Sequence, residues 1–309
     1  MNTEPQLKIA SSKLHPRYGN LLKSCTKVFD LRIYDGSIPI FDFLDQVKPD
    51  VFFLDRVYVT DVVRMACNEI AGKTKIALFS DDVPEGMDFH LLCTTKQVGD
   101  VYLKNLNNIG IDAHCINEYG YVQDFWDQAD NENFSSDVGY YFSQKESETM
   151  NKQISTNPDM LYSYLKILNE ISEVGKLKIV GNHKTLPIPQ FLGMIDEKQI
   201  FPFLNSSKIC LDVFGQNVLD QAVNGVFTLS FVKNKLFPTV DMKSTSSQIA
   251  YYLDNNDLRE KTAKEAQKKI IKNDMCYHRL SEIFDKLGAK SHQDTVSKKI
   301  KEIQCKLES

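Results

Sequence analysis

The feature that most constrains this chain is a rhythm. Short, continuous apolar runs alternate with segments of helical spacing along nearly the whole length. Runs at 7–13 (LKIASSK), 29–35 (FDLRIYD), 50–55 (DVFFLD), 75–82 (KIALFSDD), 89–95 (FHLLCTT) and 111–116 (IDAHCI) read as strands. Between them, 38–47, 59–71 and 96–108 carry helical periodicity, the second ending at Gly72 and the third near Gly110. A run such as Val51-Phe52-Phe53-Leu54 has no polar alternation, which fits a strand covered on both faces. Strands alternating with helices of this length predict βαβ units and parallel sheets.

The rhythm breaks at 124–137 (DFWDQADNENFSSD), which is polar and acidic and reads as a linker. A second set follows: strands at 139–145 and 177–183, a helix over 157–174, a loop marked by Pro187 and Pro189, and a strand at 209–214. A helix at 216–224, a strand at 226–231, a helix from about Ser246 and a charge-rich helical stretch over 257–287 complete it. We therefore expect an N-terminal domain over 1–123, a linker over 124–138, a C-terminal domain over 139–288 and a helical tail over 289–309. In the tail, Val296, Ile300, Ile303 and Leu307 form one apolar seam. At 309 residues the chain has room for two such domains.

Composition removes several classes of function. The net charge is −4, with no overall basic surface for nucleic acid. Through Ser136 there are 13 basic against 20 acidic residues, and beyond it 24 against 21, so the second domain is the better host for an anionic ligand. No apolar run is long enough to span a bilayer. MNTEPQLKIA has no cationic segment followed by an apolar stretch, so no secretory leader and a cytoplasmic location are expected. The seven cysteines are scattered without a CxxC spacing and read as reduced thiols. There is no Asp-x-Asp, HExxH, P-loop, GxGxxG or GxSxG sequence.

The chemistry concentrates in 205–231 (NSSKICLDVFGQNVLDQAVNGVFTLSF). A strand ending at Asp212 leads through a turn containing Gly215 into a helix whose first amides come from Gln216, Asn217 and Val218. Unpaired amides at a helix start favour a phosphate. Asp212 and Asp220, eight positions apart, supply carboxylates that accept strongly from sugar hydroxyls.

This stretch resembles the donor-binding segment of retaining GT-B glycosyltransferases, of the glycosyltransferase family 4 and CgeB-like kind. The shared pattern is an acid, seven residues, a second acid, then Ala-x-x-x-Gly before an apolar strand; here Asp212-(VFGQNVL)-Asp220 is followed by Gln221, Ala222, Val223, Asn224 and Gly225, with Gln in the alanine's place. Both acids are Asp where the family usually has Glu, one methylene longer. Leu204–Ile209, Asn234–Pro238, Tyr251–Asn255 and Tyr277-His278-Arg279 also follow the CgeB-like order, and the resemblance covers about 140–288.

The resemblance implies an α/β fold of two Rossmann-like domains facing a central cleft (GT-B), with the terminal helix returning to the first domain. It implies a hexosyl- or pentosyltransferase that moves a sugar from a nucleoside-diphosphate sugar, a UDP-sugar first, with retention, without metal and with no other cofactor. Asp212 would contact the transferred sugar and Asp220 the ribose, while Gly215, Gln216, Asn217 and Val218 line the sugar and diphosphate. Lys145 and His183 would join Asp212 in catalysis by facing the diphosphate, with Lys184 beside them. His15 and Arg17 after the first strand, and Asp81 after the fourth, are candidates on the acceptor side.

The implied acceptor is a glycan, a protein, a small molecule or a hydroxymethylated DNA base as in phage DNA glycosyltransferases. The acidic first domain weighs against DNA. The protein is expected as a monomer or homodimer. The alternatives are a nucleotide-sugar epimerase of the same fold, and a non-catalytic sugar-nucleotide-binding protein.

Overall fold

The computed structural model describes residues 7–15, 18–95, 99–122, 132–157, 159–181, 188–215, 217–241 and 243–308. The chain divides into two compact α/β units. Unit 1 comprises Met1–Tyr121 and Asn273–Ser309, and unit 2 comprises Val122–Lys272.

In unit 1 the described residues form a six-stranded parallel sheet. Its strands are β1 (Lys8–Ser12), β2 (Asp30–Tyr34), β3 (Val51–Asp55), β4 (Lys75–Phe79), β5 (Leu91–Thr95) and β6 (Ala113–Ile116), in the order β2-β1-β3-β4-β5-β6. The helices are α1 (Gly19–Thr26), α2 (Ile40–Val47), α3 (Asp61–Ile70) and α4 (Asp100–Asn108). All five residues of β3 are buried, the apolar run Val51–Leu54 together with Asp55. One core cluster joins Phe52, Leu54 and Leu78 of the sheet to Phe43 of α2 and Val63 of α3.

At the crossover between β1 and β3, Asp55 ties the strand ends together. Its backbone N–H donates to Ser12 Oγ at 2.8 Å, and its carboxylate accepts from His15 N at 2.7 Å and Val57 N at 3.1 Å.

In unit 2 the described residues form a five-stranded parallel sheet. Its strands are β7 (Ser136–Phe142), β8 (Leu177–Gly181), β9 (Phe191–Met194), β10 (Ser207–Asp212) and β11 (Thr228–Ser230), in the order β11-β10-β7-β8-β9. Its helices are α5 (Gln144–Thr156), α6 (Asp159–Val174), α7 (Glu197–Asn205), α8 (Val218–Val223), α9 (Thr245–Asp254) and α10 (Asn256–Asn273). Alternation along β7 sends Tyr141 toward Phe203 and Leu204 of α7, while Tyr140 meets Tyr164 of α6 at 6.3 Å between ring centroids. Gly139 has no room for a side chain: a Cβ there would lie 2.1 Å from Ser207 Oγ on β10.

The last two helices, α11 (Cys276–Lys286) and α12 (Lys290–Glu308), belong to unit 1. Phe284 of α11 is fully buried, 5.5 Å from the Phe29 ring and 5.9 Å from Phe53 of β3. Burying one such ring contributes about 1.5–3 kcal/mol. Arg279 is buried with Asp274, Glu282 and the Glu118 carbonyl as partners, and Gly120 donates to the Asp274 carbonyl at 2.8 Å. Val296 and Ile303 of α12 are buried on the seam that the tail sequence predicts.

The pattern places a domain boundary near 288, whereas the contacts divide the chain between Lys272 and Asn273. The segment read as a linker already enters β7 at Ser136.

Candidate functional site

In open parallel sheets, ligands bind beyond the carboxyl ends of the strands where the strand order reverses. In unit 2 that point lies between β7 and β10, because β8 and β9 extend from one side of β7 and β10 and β11 from the other. The residues leaving those two strands form the candidate site.

β10 ends at Asp212, which is fully buried. The chain then turns through Val213, Phe214 and Gly215 and enters α8 through Asn217. Asp212 Oδ1 accepts the Asn217 backbone N–H at 3.2 Å, and Oδ2 accepts the Ser230 hydroxyl at 2.9 Å. The acid read as a sugar contact thus has both oxygens engaged inside the protein, bracing the turn against β11. Gly215 adopts φ +73°, a conformation that glycine reaches without strain, and a Cβ there would lie 3.2 Å from Val232.

Asn217 is buried, and its side-chain amide reaches toward the Tyr141 carbonyl at 3.5 Å. The helix predicted over 216–224 is shorter, running from Val218 to Val223. Asp220 lies in its first turn, partly exposed, and is close enough to Tyr141 to help raise that phenol's pKa, after burial and Glu146.

On the β7 side, the chain passes from Phe142 into α5 through Ser143. A reciprocal cap starts the helix: Ser143 Oγ accepts the Glu146 N–H, and Glu146 Oε2 accepts the Ser143 N–H, each at 3.2 Å. Lys145, expected at a strand end, is the second residue of this helix.

Glu146 is fully buried. Burial first, and the neighbouring Asp212 second, push its carboxyl well above the usual carboxylate range, against the opposing influence of Ser143, Tyr140 and Asn217. Glu146 Oε1, Tyr140 Oη and Tyr164 Oη are buried without a hydrogen-bond partner of acceptable geometry among the described residues. The Tyr164 ring also lies 5.9 Å from that of Phe214 in the turn. Tyr140, Glu146 and Tyr164 are absent from the sequence reading. The Ser-x-x-Glu spacing at 143–146 is the signal that marks Glu146.

Of the other predicted site residues, Arg17, His183, Lys184 and Gln216 lie outside the described residues. His15 and Asp81 belong to unit 1. His15 is exposed after β1 and bonded through its backbone to Asp55, and exposed Asp81 after β4 accepts the Thr94 hydroxyl at 2.9 Å. Beside it, Asp82 accepts from Ser80 and pairs with Arg56 Nε at 3.3 Å.

No protein-family profile matches the chain, and no curated protein matches its sequence. Solved structures do match. A glycosyltransferase from Rickettsia africae ESF-5 aligns over 95% of this chain and 99% of its own, with TM-score 0.53 and 12% identity. The S. aureus MnaA–UDP co-structure aligns over 90% and 95%, with TM-score 0.48 and 11% identity. UDP-GlcNAc 2-epimerase from Methanocaldococcus jannaschii aligns over 82% and 91%, with TM-score 0.42 and 11% identity. The chain has the GT-B type of fold, built from two Rossmann-like parallel α/β units. Among the described residues, no helix is long and apolar enough to cross a membrane.

Proposed function

We propose that this protein is a glycosyltransferase that binds a nucleoside-diphosphate sugar, a UDP-sugar first, on unit 2. The observation that carries the reading is the β10–α8 turn. It stands at the strand-order reversal and bears the acid-x7-acid pattern, with Asp220 partly exposed at its far end. A turn beside two sheet ends suits a diphosphate, and a partly exposed carboxylate suits a ribose diol. The buried Asp212 then acts by holding the turn rather than by reaching the sugar.

The resemblance to the family 4 and CgeB-like enzymes supports the finer reading. Transfer would proceed with retention and without metal, from the same face of the sugar. The acceptor oxygen bonds to the anomeric carbon as the bond to the diphosphate breaks, and a phosphate oxygen takes the acceptor proton. Lys145, His183 and Lys184 are the candidates to offset charge on the departing diphosphate. Glycans, proteins, small molecules and hydroxymethylated DNA bases stand as acceptor classes. His15, Arg17 and Asp81 are candidates to contact the acceptor.

A melting-temperature panel of UDP- and GDP-sugars tests this reading. One UDP-sugar at about a hundred times its dissociation constant should raise the melting temperature by a few degrees. Asp220→Ala should abolish the shift while the unliganded melting temperature stays within a degree or two. Incubation with that donor alone should slowly release UDP. An isomerised sugar would make the protein an epimerase, and an unchanged bound donor a binding protein.

A further inference from the structure

Glu146 sits where an ionised carboxylate is least welcome. It is fully buried, and it lies beside Asp212, which is also fully buried. The groups facing it are Ser143 and Tyr140 from its own strand-to-helix junction, Tyr141 from β7, Tyr164 from α6, and Asp212 and Asn217 from the β10–α8 connection. Among these described groups there is no cationic side chain. Oε2 is spent on the α5 cap, and Oε1 has no hydrogen-bond partner of acceptable geometry among the described residues. Its neighbours Asp212 and Asn217 are the two residues whose mutual hydrogen bond shapes the turn.

We propose that Glu146 is a positioning residue of the candidate site: as a neutral acid it fixes the β10–α8 turn through Asp212 and Asn217, and thereby sets nucleotide affinity without touching the nucleotide. A neutral carboxyl has one O–H to give, and the adjoining Asp212 carboxylate is an acceptor, so one proton shared across β7 and β10 removes the repulsion that two buried anions would feel. This rests on reading the turn as a nucleotide site.

Glu146→Gln keeps the shape and a neutral, hydrogen-bonding head, whereas Glu146→Ala removes both. UDP affinity of the full chain is measured by calorimetry from pH 6 to 9. The Gln variant should bind within twofold of the parent across that range, and the Ala variant at least tenfold more weakly. A Gln variant as weak as Ala would mean that the charge is required, and an Ala variant equal to the parent would mean that Glu146 positions nothing; either overturns the proposal.

The Gln variant supplies a second readout if the Ala variant does not fold. A carboxyl whose folded pKa is raised loses stability as pH rises above its unfolded value of about 4.5. The Gln variant should therefore melt above the parent, by a margin that widens from pH 5 to pH 8, and a constant margin counts against a neutral Glu146. Should the parent bind no UDP, the nucleotide reading fails on its own. Glu146 is then judged by hydrogen exchange: faster exchange at the Asn217 and Val218 amides in Ala but not in Gln supports positioning, and unchanged exchange overturns it.

Discussion

The two units solve the same problem differently at the point where their strand order reverses. In unit 1, Asp55 and Ser12 close the junction of β1 and β3, and both carboxylate oxygens of Asp55 accept backbone N–H groups. In unit 2, the junction of β7 and β10 buries two carboxyl groups and leaves Glu146 Oε1, Tyr140 Oη and Tyr164 Oη without bonded partners among the described residues. Buried polar groups are costly unless satisfied. On the proposed function, the Asp55 junction braces unit 1, and the β7–β10 junction, with its unspent polar capacity, is the one that serves the nucleotide.

The strongest way to break this contrast is to disturb the unit 2 junction from beneath. Gly139→Ala would drive a methyl into Ser207 Oγ across β7 and β10. It should cost about 3 kcal/mol, and lower the unit 2 melting transition by on the order of 10 °C in calorimetry. The loss of nucleotide binding should follow the loss of folded unit 2.

A smaller effect is expected in unit 1. Asp55→Ala orphans the His15 and Val57 amides and should cost roughly 2 kcal/mol. Chemical denaturation followed by hydrogen exchange should place that loss in unit 1, with UDP affinity unchanged. A matching loss of affinity would mean that the unit 1 junction is more than scaffold.

The smallest effect is a pH dependence. His292 of α12 is buried between Phe29 and Phe284, with Nε2 3.8 Å from Asp50. Burial lowers its pKa below the ordinary 6.5, against the opposing pull of Asp50. Below that pH the unfolded chain takes up the proton more readily than the folded one, so stability falls as pH falls. The unit 1 transition should drop by a few degrees between pH 7.5 and 5.5, and His292→Gln should flatten that slope.

Much of this architecture is written in the apolar runs. Strands β3, β4, β5 and β10 each carry a continuous apolar run of three or four residues, and their parallel pairing follows from the helices between them. Helix α5 escapes the periodicity because QKESETMNKQIST has few apolar positions, although its cap at Ser143 and Glu146 marks its start. Helix α7 is disguised by Pro202 in its interior, and β9 is a four-residue edge strand beside a proline-marked loop.

The candidate site divides in the same way. The acid-x7-acid spacing locates the turn. The burial of Asp212 is set by Ser230 and Asn217 coming together in three dimensions, and no linear spacing contains that. Glu146 matters only because β7 lies beside β10, strands separated by more than sixty residues of chain.

Unit 1 is interrupted: its sheet ends by Tyr121, yet its covering helices α11 and α12 arrive only after the whole of unit 2 has intervened. During synthesis, unit 2 can therefore finish folding while Phe29 and Phe53 still await Phe284. Residues made before unit 2 are thus completed only after it, and a ribosome stalled within unit 2 would hold the unit 1 sheet without α11 and α12.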